Sequence, residues 1–137
     1  AGVNGMAHVS EGADEFIKDL TARFTVGDLV KAVLEECEVL DDDKRSHRCG
    51  ERLTFWTASM RHVNKLFVKP LTAAYKCSYV EMVASAPQPP RWFVSHAWST
   101  PFSHTLAMLR FHAQEHGLPD STTYWICTFA NNQSSHA

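Results

Sequence analysis

The stretch WFVSHAWSTPFSHTLAMLRFHAQEHGLPDSTTYWICTF, residues 92–129, decides the fold. Its opening Trp92-Phe93-Val94 is a bulky apolar run between Pro89-Pro90 and Ser95-His96, and it predicts a short buried strand. Ser99-Thr100-Pro101 predicts a loop. From Phe102 to His116 the apolar positions Phe102, Leu106, Leu109 and Ala113 recur at steps of four, three and four, which predicts a helix with one core-facing stripe. Gly117 then stands where a helix C-cap belongs, and Pro119 follows it. Thr123 to Phe129 is rich in β-formers and predicts a second buried strand. Strand, loop, helix, turn and strand form a βαβ unit, whose two strands run parallel. A parallel pair is covered on both faces, so the crossover helix should cover one and helices from residues 14–76 the other.

Upstream the period is helical. Phe16, Ile17, Leu20 and Phe24 share one helical face. Thr25-Val26-Gly27-Asp28 reads as a weak capping box with Thr25 as N-cap. Behind it, Leu29, Val30, Val33, Leu34 and Cys37 trace a second stripe. Asp41-Asp42-Asp43-Lys44-Arg45 predicts a solvated charged loop; it lacks the alternating oxygen ligands of a calcium loop. A third helix is expected from about Glu51, with Leu53, Trp56, Met60, Val63 and Phe67 facing the core and His62 and Asn64 at the surface. Pro70 should end or kink it near Lys69 and start a short helix from Leu71 to Lys76. Cys77 to Val83 suits a strand or a helical turn, and Ser85 to Pro90 is a stiff linker. The expected organisation is a flexible segment 1–13 and one domain over 14–137, with a helical part at 14–84 and the βαβ unit at 91–130.

Composition narrows the function classes. The 137 residues carry 13 Lys and Arg against 15 Asp and Glu, a net charge of -2, which argues against a nucleic-acid binder that relies on a basic surface. No uncharged apolar run reaches the roughly 20 residues that span a bilayer. Residues 1–13 contain no apolar h-region, so no signal peptide is expected there. The chain starts at Ala1, which is read as processing or as a fragment. Asn132-Gln133-Ser134 matches the glycosylation acceptor pattern by chance. Four cysteines, Cys37, Cys49, Cys77 and Cys127, are too sparse for a disulfide scaffold and are read as reduced, mostly buried thiols in an intracellular compartment, with cytoplasm and organelle interior undistinguished. A zinc site on Cys37, His47 and Cys49 matches no common finger spacing.

CSYVEMVA (77–84), PQPPRWFVSHAW (87–98) and YWICTFANNQ (124–133) resemble a group of uncharacterised TIR-like proteins of algae and protists, over Lys69 to Gln133. More broadly, residues 92–133 resemble the start of TIR domains, where a first strand ends in a serine-containing turn and a helix and second strand follow. The algal and protist group usually carries a second tryptophan and a glycine in that turn; Ala97 and Ser99 stand here. The resemblance implies a TIR-like fold. TIR enzymes cleave the nicotinamide–ribose bond of NAD with a glutamate on a helix well after the second strand. This sequence ends at Ala137, a few residues past its second strand, and Glu115 lies on the first helix, so no catalytic glutamate carries over.

Ser95, His96, Trp98 and Ser99 fall where a strand end meets a helix start, a place that suits a small ligand or an anion such as a nucleotide phosphate. The competing reading has Ser95 and His96 bonding the local turn and Trp98 packing on the core. A Ser–His hydrolase is disfavoured, because adjacent residues of a strand point to opposite faces and no G-x-S-x-G elbow is present. Asn131, Asn132 and Gln133 follow the second strand and are candidate second contacts, or simply turn formers. His112 and His116 share a helical face with His104 nearby, a candidate metal pair that lacks the glutamate of a zinc protease motif.

The resulting expectation is an α/β or α+β protein acting as a non-catalytic interaction or scaffold module, or an accessory subunit of a larger assembly. Open strand edges and four tryptophans suit a protein partner or self-association. No cofactor is expected on that reading. The alternatives are a fragment of a TIR-like NAD-cleaving or nucleotide-binding enzyme, and a small metal-binding domain.

Overall fold

A computed structural model describes residues 25–45, 49–84, 87 and 89–133. The flexible segment expected at 1–13, the stripe of Phe16 to Phe24 and the candidate ligand His47 lie outside the described residues. The elements are α1 (Thr25–Glu36), α2 (Met60–Val63), a wide π-type turn (Asn64–Val68), α3 (Lys69–Thr72), α4 (Tyr79–Val83), β1 (Trp92–Val94), α5 (Phe102–Glu115), β2 (Tyr124–Ile126) and α6 (Cys127–Ala130). The chain is thus a mixed, α+β protein built on a two-stranded sheet.

The βαβ unit forms as its residues dictate. β1 and β2 pair in parallel with Trp92 opposite Tyr124, Phe93 opposite Trp125 and Val94 opposite Ile126. The four apolar positions of α5 are all buried. Gly117 ends α5 at φ +57°. Its N–H donates to the Gln114 carbonyl at 3.2 Å, and the Leu118 N–H reaches back to Ala113 at 2.9 Å. This pair of bonds is a Schellman closure, which needs the left-handed residue that glycine supplies without a steric penalty.

Two strand predictions need correction. Neither strand is buried: Phe93 is 73% exposed, and the residues of β2 are only half-buried. With three residues each the strands are too short to be enclosed, and Phe93 and Trp125 point away from α5. β2 also stops at Ile126, and Cys127 to Phe129 turn into α6 instead of extending the strand. The helical turn buries Thr128 and Phe129, a gain that outweighs their β-propensity.

The helical part differs more. Residues 51–58 are not helical, because their backbone groups bond across to 39–41: Asp41 N–H to the Glu51 carbonyl at 2.8 Å and Leu53 N–H to the Val39 carbonyl at 2.8 Å. Trp56 is therefore 67% exposed rather than core-facing. The helix begins at Met60, where Ser59 caps it by accepting from the His62 N–H, while the His62 ring accepts from the Ser59 N–H. Pro70 distorts the helix ahead of it without ending it, and stands in the first turn of α3. The chain widens over Asn64–Val68, with the Lys69 N–H reaching the Asn64 carbonyl, and helical geometry continues to Thr72. Widening relieves the clash between a proline ring and the carbonyl four residues back. The Thr72 hydroxyl donates to the Val68 carbonyl at 2.7 Å. Lys76 closes the following turn in the left-handed region, in place of the helix expected to reach it. Tyr79–Val83 is helical, started by a Ser78–Glu81 capping box.

His62 is 7% exposed and Asp41 3%, so neither is the surface residue expected. Their Nε2 and Oδ1 atoms lie 3.1 Å apart, an off-line electrostatic contact. Lys65 pairs with Asp42, and Arg61 approaches Asp43 at 4.0 Å. The acidic loop is thus stapled to the start of the helix by three basic partners. The Lys65 ammonium holds the Asp42 carboxyl below its usual range, and Asp42 in turn raises Lys65.

One core draws on both parts of the chain: Val30 and Leu34 of α1, Met60 and Val63 of α2, Tyr79 and Met82 of α4, Phe102 and Leu106 of α5, and Phe129 of α6. The backbone joins them too, since the Phe102 N–H donates to the Ala58 carbonyl at 2.8 Å and the Arg61 N–H to the Trp98 carbonyl at 3.1 Å. All four cysteines are free, and none is buried: Cys37 and Cys49 are exposed, Cys77 and Cys127 half-buried. No described helix is long and apolar enough to cross a membrane.

Candidate functional site

A cleft of about 430 Å³ runs along β1. Six consecutive residues, Trp92 to Ala97, form one wall, and Thr105, Met108, Leu109 and His112 of α5 form the other, with Thr100 and Tyr124 completing it. The helical wall follows from spacing, because positions 105, 108, 109 and 112 lie on one face. The strand wall follows from the sheet, since β1 pairs on one side only. The Arg91 N–H donates to the Thr123 carbonyl just ahead of the paired residues.

Polar groups gather around this cleft. The Tyr124 hydroxyl lies 3.0 Å from His112 Nδ1. Trp92 packs edge-on against both His112 and His116, with ring centroids 4.5 and 5.5 Å away. His96 meets Trp98 edge-on at 5.2 Å, and both of its ring nitrogens are shielded from solvent with no hydrogen-bond partner. Shielded ring nitrogens without a partner, on a residue that is itself half-buried, depart from the general rule that such groups are satisfied. Among the described residues no Asp, Glu, Lys or Arg lines the cleft.

The candidate residues separate. Ser95 and His96 line the cleft. Trp98 packs against the core, as the competing reading had it, and Ser99 is exposed. Asn131 and Asn132 do not join them, because α6 intervenes between β2 and these amides. Asn131 Nδ2 donates to Cys127 Sγ at 3.2 Å, closing α6 on itself, and Asn132 Nδ2 donates to the Lys76 carbonyl at 2.7 Å, tying the end of α6 to the helical part. His112 and His116 do share a face, with rings 4.3 Å apart. His116 Nδ1 is spent on the His112 carbonyl at 2.9 Å. Among the described residues no group of three or more His, Cys, Asp or Glu converges, so the pair is short of the ligands a zinc site takes. Sequence reasoning does not single out Tyr124, Thr105 or Met108. The i, i+3, i+4, i+7 spacing from Thr105 to His112 marks their shared face, but only the β1–β2 register brings Tyr124 there.

Ser59, His62 and Asp41 form a second cluster, of the residue types hydrolases use for nucleophilic catalysis. Ser59 Oγ lies 3.0 Å from His62 Nδ1. That nitrogen already accepts the Ser59 N–H at 3.0 Å, so it cannot take the hydroxyl proton without breaking the helix cap. Ser59 is buried and does not line the cleft. The cluster caps and staples; it is not a nucleophilic site. Cys77 is no better a nucleophile, because burial and the nearby Glu81 charge push its thiol up.

No family model matches this chain, and neither a curated protein nor a solved structure matches it.

Proposed function

We propose that this protein is a non-catalytic interaction module, docking another polypeptide on the face of its sheet that points away from α5. The observation that carries the reading is the aromatic pair on that face. Phe93, largely exposed, stacks on Trp125 with centroids 4.8 Å apart and planes at 12°. Aromatic side chains that join in a solvent-facing patch are enriched at interfaces. The open strand edges beside them add unpaired backbone groups that a partner strand can bond.

The alternative of a TIR-like NAD-cleaving or nucleotide-binding fragment rests on the resemblance over residues 92–133. It gains the position of Ser95 and His96 at a strand end, but among the described residues no carboxylate lines the cleft. The metal-binding alternative has two imidazoles and no third donor among the described residues.

The test is sedimentation velocity over a concentration series, together with mass-spectrometric identification of proteins that co-purify. Wild type should self-associate or retain a defined partner, and Trp125→Ser should lose that association while keeping its far-UV circular dichroism. A wild type that stays monomeric and retains nothing the variant loses would overturn the reading.

A further inference from the structure

We propose that His112 and His116 form an open copper(II) site at the end of α5, holding the ion through both Nε2 atoms and leaving its other positions to water. The site is independent of the interaction-module reading and lies apart from the Phe93–Trp125 stack. Histidines four positions apart stand one above the other on a helix. Here both engage Nδ1 locally. His116 Nδ1 lies 2.9 Å from the His112 carbonyl. A carbonyl only accepts, so this nitrogen carries the proton and the Nε2 lone pair is free. His112 Nδ1 lies 3.0 Å from the Tyr124 hydroxyl. That oxygen accepts as well as donates, so His112 can take the same tautomer. Metal-bound histidines anchor their second ring nitrogen in this way. Among the described residues no hydrogen bond takes either Nε2, and His116 is exposed with His112 half-buried, so an ion has access.

Ring spacing selects the ion. A ring bound through Nε2 at about 2.0 Å has its centre about 3.2 Å from the metal, so two rings at right angles lie about 4.5 Å apart and two at the tetrahedral angle about 5.2 Å. The two imidazole centres are 4.3 Å apart, with planes tilted by 31°. This separation matches adjacent corners of a square, which copper(II) and nickel(II) favour with nitrogen donors, and is tighter than the tetrahedron of zinc. Rotation about the soft terminal torsion of each side chain brings the planes onto one ion. Copper leads the order of affinity among divalent ions at such donors. Trp92 supplies a reporter, because its ring packs edge-on 4.5 and 5.5 Å from the two imidazoles and copper(II) quenches a neighbouring indole.

The experiment titrates copper(II), supplied as its glycine complex, into the full chain, followed by tryptophan fluorescence and electron paramagnetic resonance. One equivalent should bind saturably, quench part of the tryptophan emission and give a tetragonal spectrum with two imidazole nitrogens. His116→Ala, at an exposed position, should lose that equivalent and keep the far-UV circular dichroism of wild type. Tyr124→Phe, which removes the acceptor behind His112, should weaken binding about tenfold. His104→Ala, exposed on the same helix but off this pair, should leave it unchanged. Three results would each overturn the proposal: no saturable equivalent, a spectrum without two imidazole nitrogens, or copper binding that survives His116→Ala. If His116→Ala does not fold, modification of wild type by diethyl pyrocarbonate decides: copper should protect His116, and an unprotected His116 overturns the site.

Discussion

Gly27 offers the sharpest test of how α1 meets the crossover helix. A Cβ built at this position falls 2.3 Å from Leu106 Cδ1, with Leu106 Cγ and Cδ2 at 3.4 and 3.5 Å. Carbon atoms in contact sit about 3.5–4.0 Å apart, so the leucine end must retreat by more than about 1 Å. Leu106 is only 2% exposed and has nowhere free to go. Gly27→Ala should therefore carry an overpacking penalty of about 1–3 kcal/mol. Helix propensity opposes it by about 0.5–1 kcal/mol, less in the first turn where Gly27 sits, leaving a net loss of about 1–2 kcal/mol. Leu106→Ala alone should lose about 2–5 kcal/mol through its cavity. In the double variant the new methyl enters space the leucine has left, so the two losses should fall short of additive by about 1 kcal/mol or more. Urea unfolding followed by circular dichroism and tryptophan fluorescence measures all four corners of the cycle. If Gly27→Ala stabilises the protein and the changes simply add, α1 does not lie against Leu106, and the packing of the helical part on the βαβ unit is wrong.

Other perturbations probe the remaining joints. His62→Ala removes the ring that accepts the Ser59 N–H and lies beside the buried Asp41, whose carboxylate keeps the Asp43 N–H, so urea unfolding should show a loss of about 1–2 kcal/mol; a loss under about 0.5 kcal/mol would mean the cap at Ser59 does not form. Tyr79 is buried with an unpartnered hydroxyl, and burial holds its ionisation above the usual tyrosine range. Tyr79→Phe should thus be neutral or stabilise by about 1 kcal/mol, and a clear destabilisation would reveal a bonded hydroxyl. The raised folded-state value also fixes a sign: this contribution is fully present below about pH 10, the unfolded value, and is lost as pH rises beyond it. Unfolding free energy measured from pH 9 to 11 should fall less steeply in Tyr79→Phe than in wild type. Gly117→Ala should lose about 1 kcal/mol against a left-handed φ, with Gly117→Asn intermediate; equal stability of all three would deny the Schellman closure.

The parts of this fold that show in the sequence are those written in local spacing. α5 carries a clean stripe, a left-handed glycine and a following proline, and its two flanking strands are short apolar runs, so the parallel unit follows from residues 92–129 alone. The strand end Ser95–His96 is legible for the same reason. Where the local pattern misleads, a distant partner decides the outcome. Leu53 and Trp56 fit a helical spacing, but the backbone of 51–53 is claimed by 39–41. Asp41 looks solvated among its acidic neighbours until His62, twenty-one positions later, draws it inside. Asn131 and Asn132 look like neighbours of a strand end until the burial of Phe129 turns the chain, leaving Asn131 on Cys127 and carrying Asn132 to Lys76. Tyr124 joins the cleft through register, which single-sequence periodicity does not encode. The Ser78–Glu81 cap is the exception in the helical part, since its S-x-x-E spacing stands in plain view.

The wide turn at Asn64–Val68 has a consequence for insertions and deletions. Such a turn holds one residue more than the ordinary spiral, so it absorbs that residue and leaves those before and after it in angular step. Arg61 and His62, ahead of it, are aimed at the aspartates, while Val68 and Thr72, after it, are aimed at the interior. Excising a single residue here would regularise the spiral and keep its two ends in step, since the wide stretch turns through about as much as an ordinary one that is one residue shorter. The acidic staple and the interior contacts would then both survive, so this locally irregular stretch should tolerate a one-residue deletion better than the regular spirals of α1 and α5.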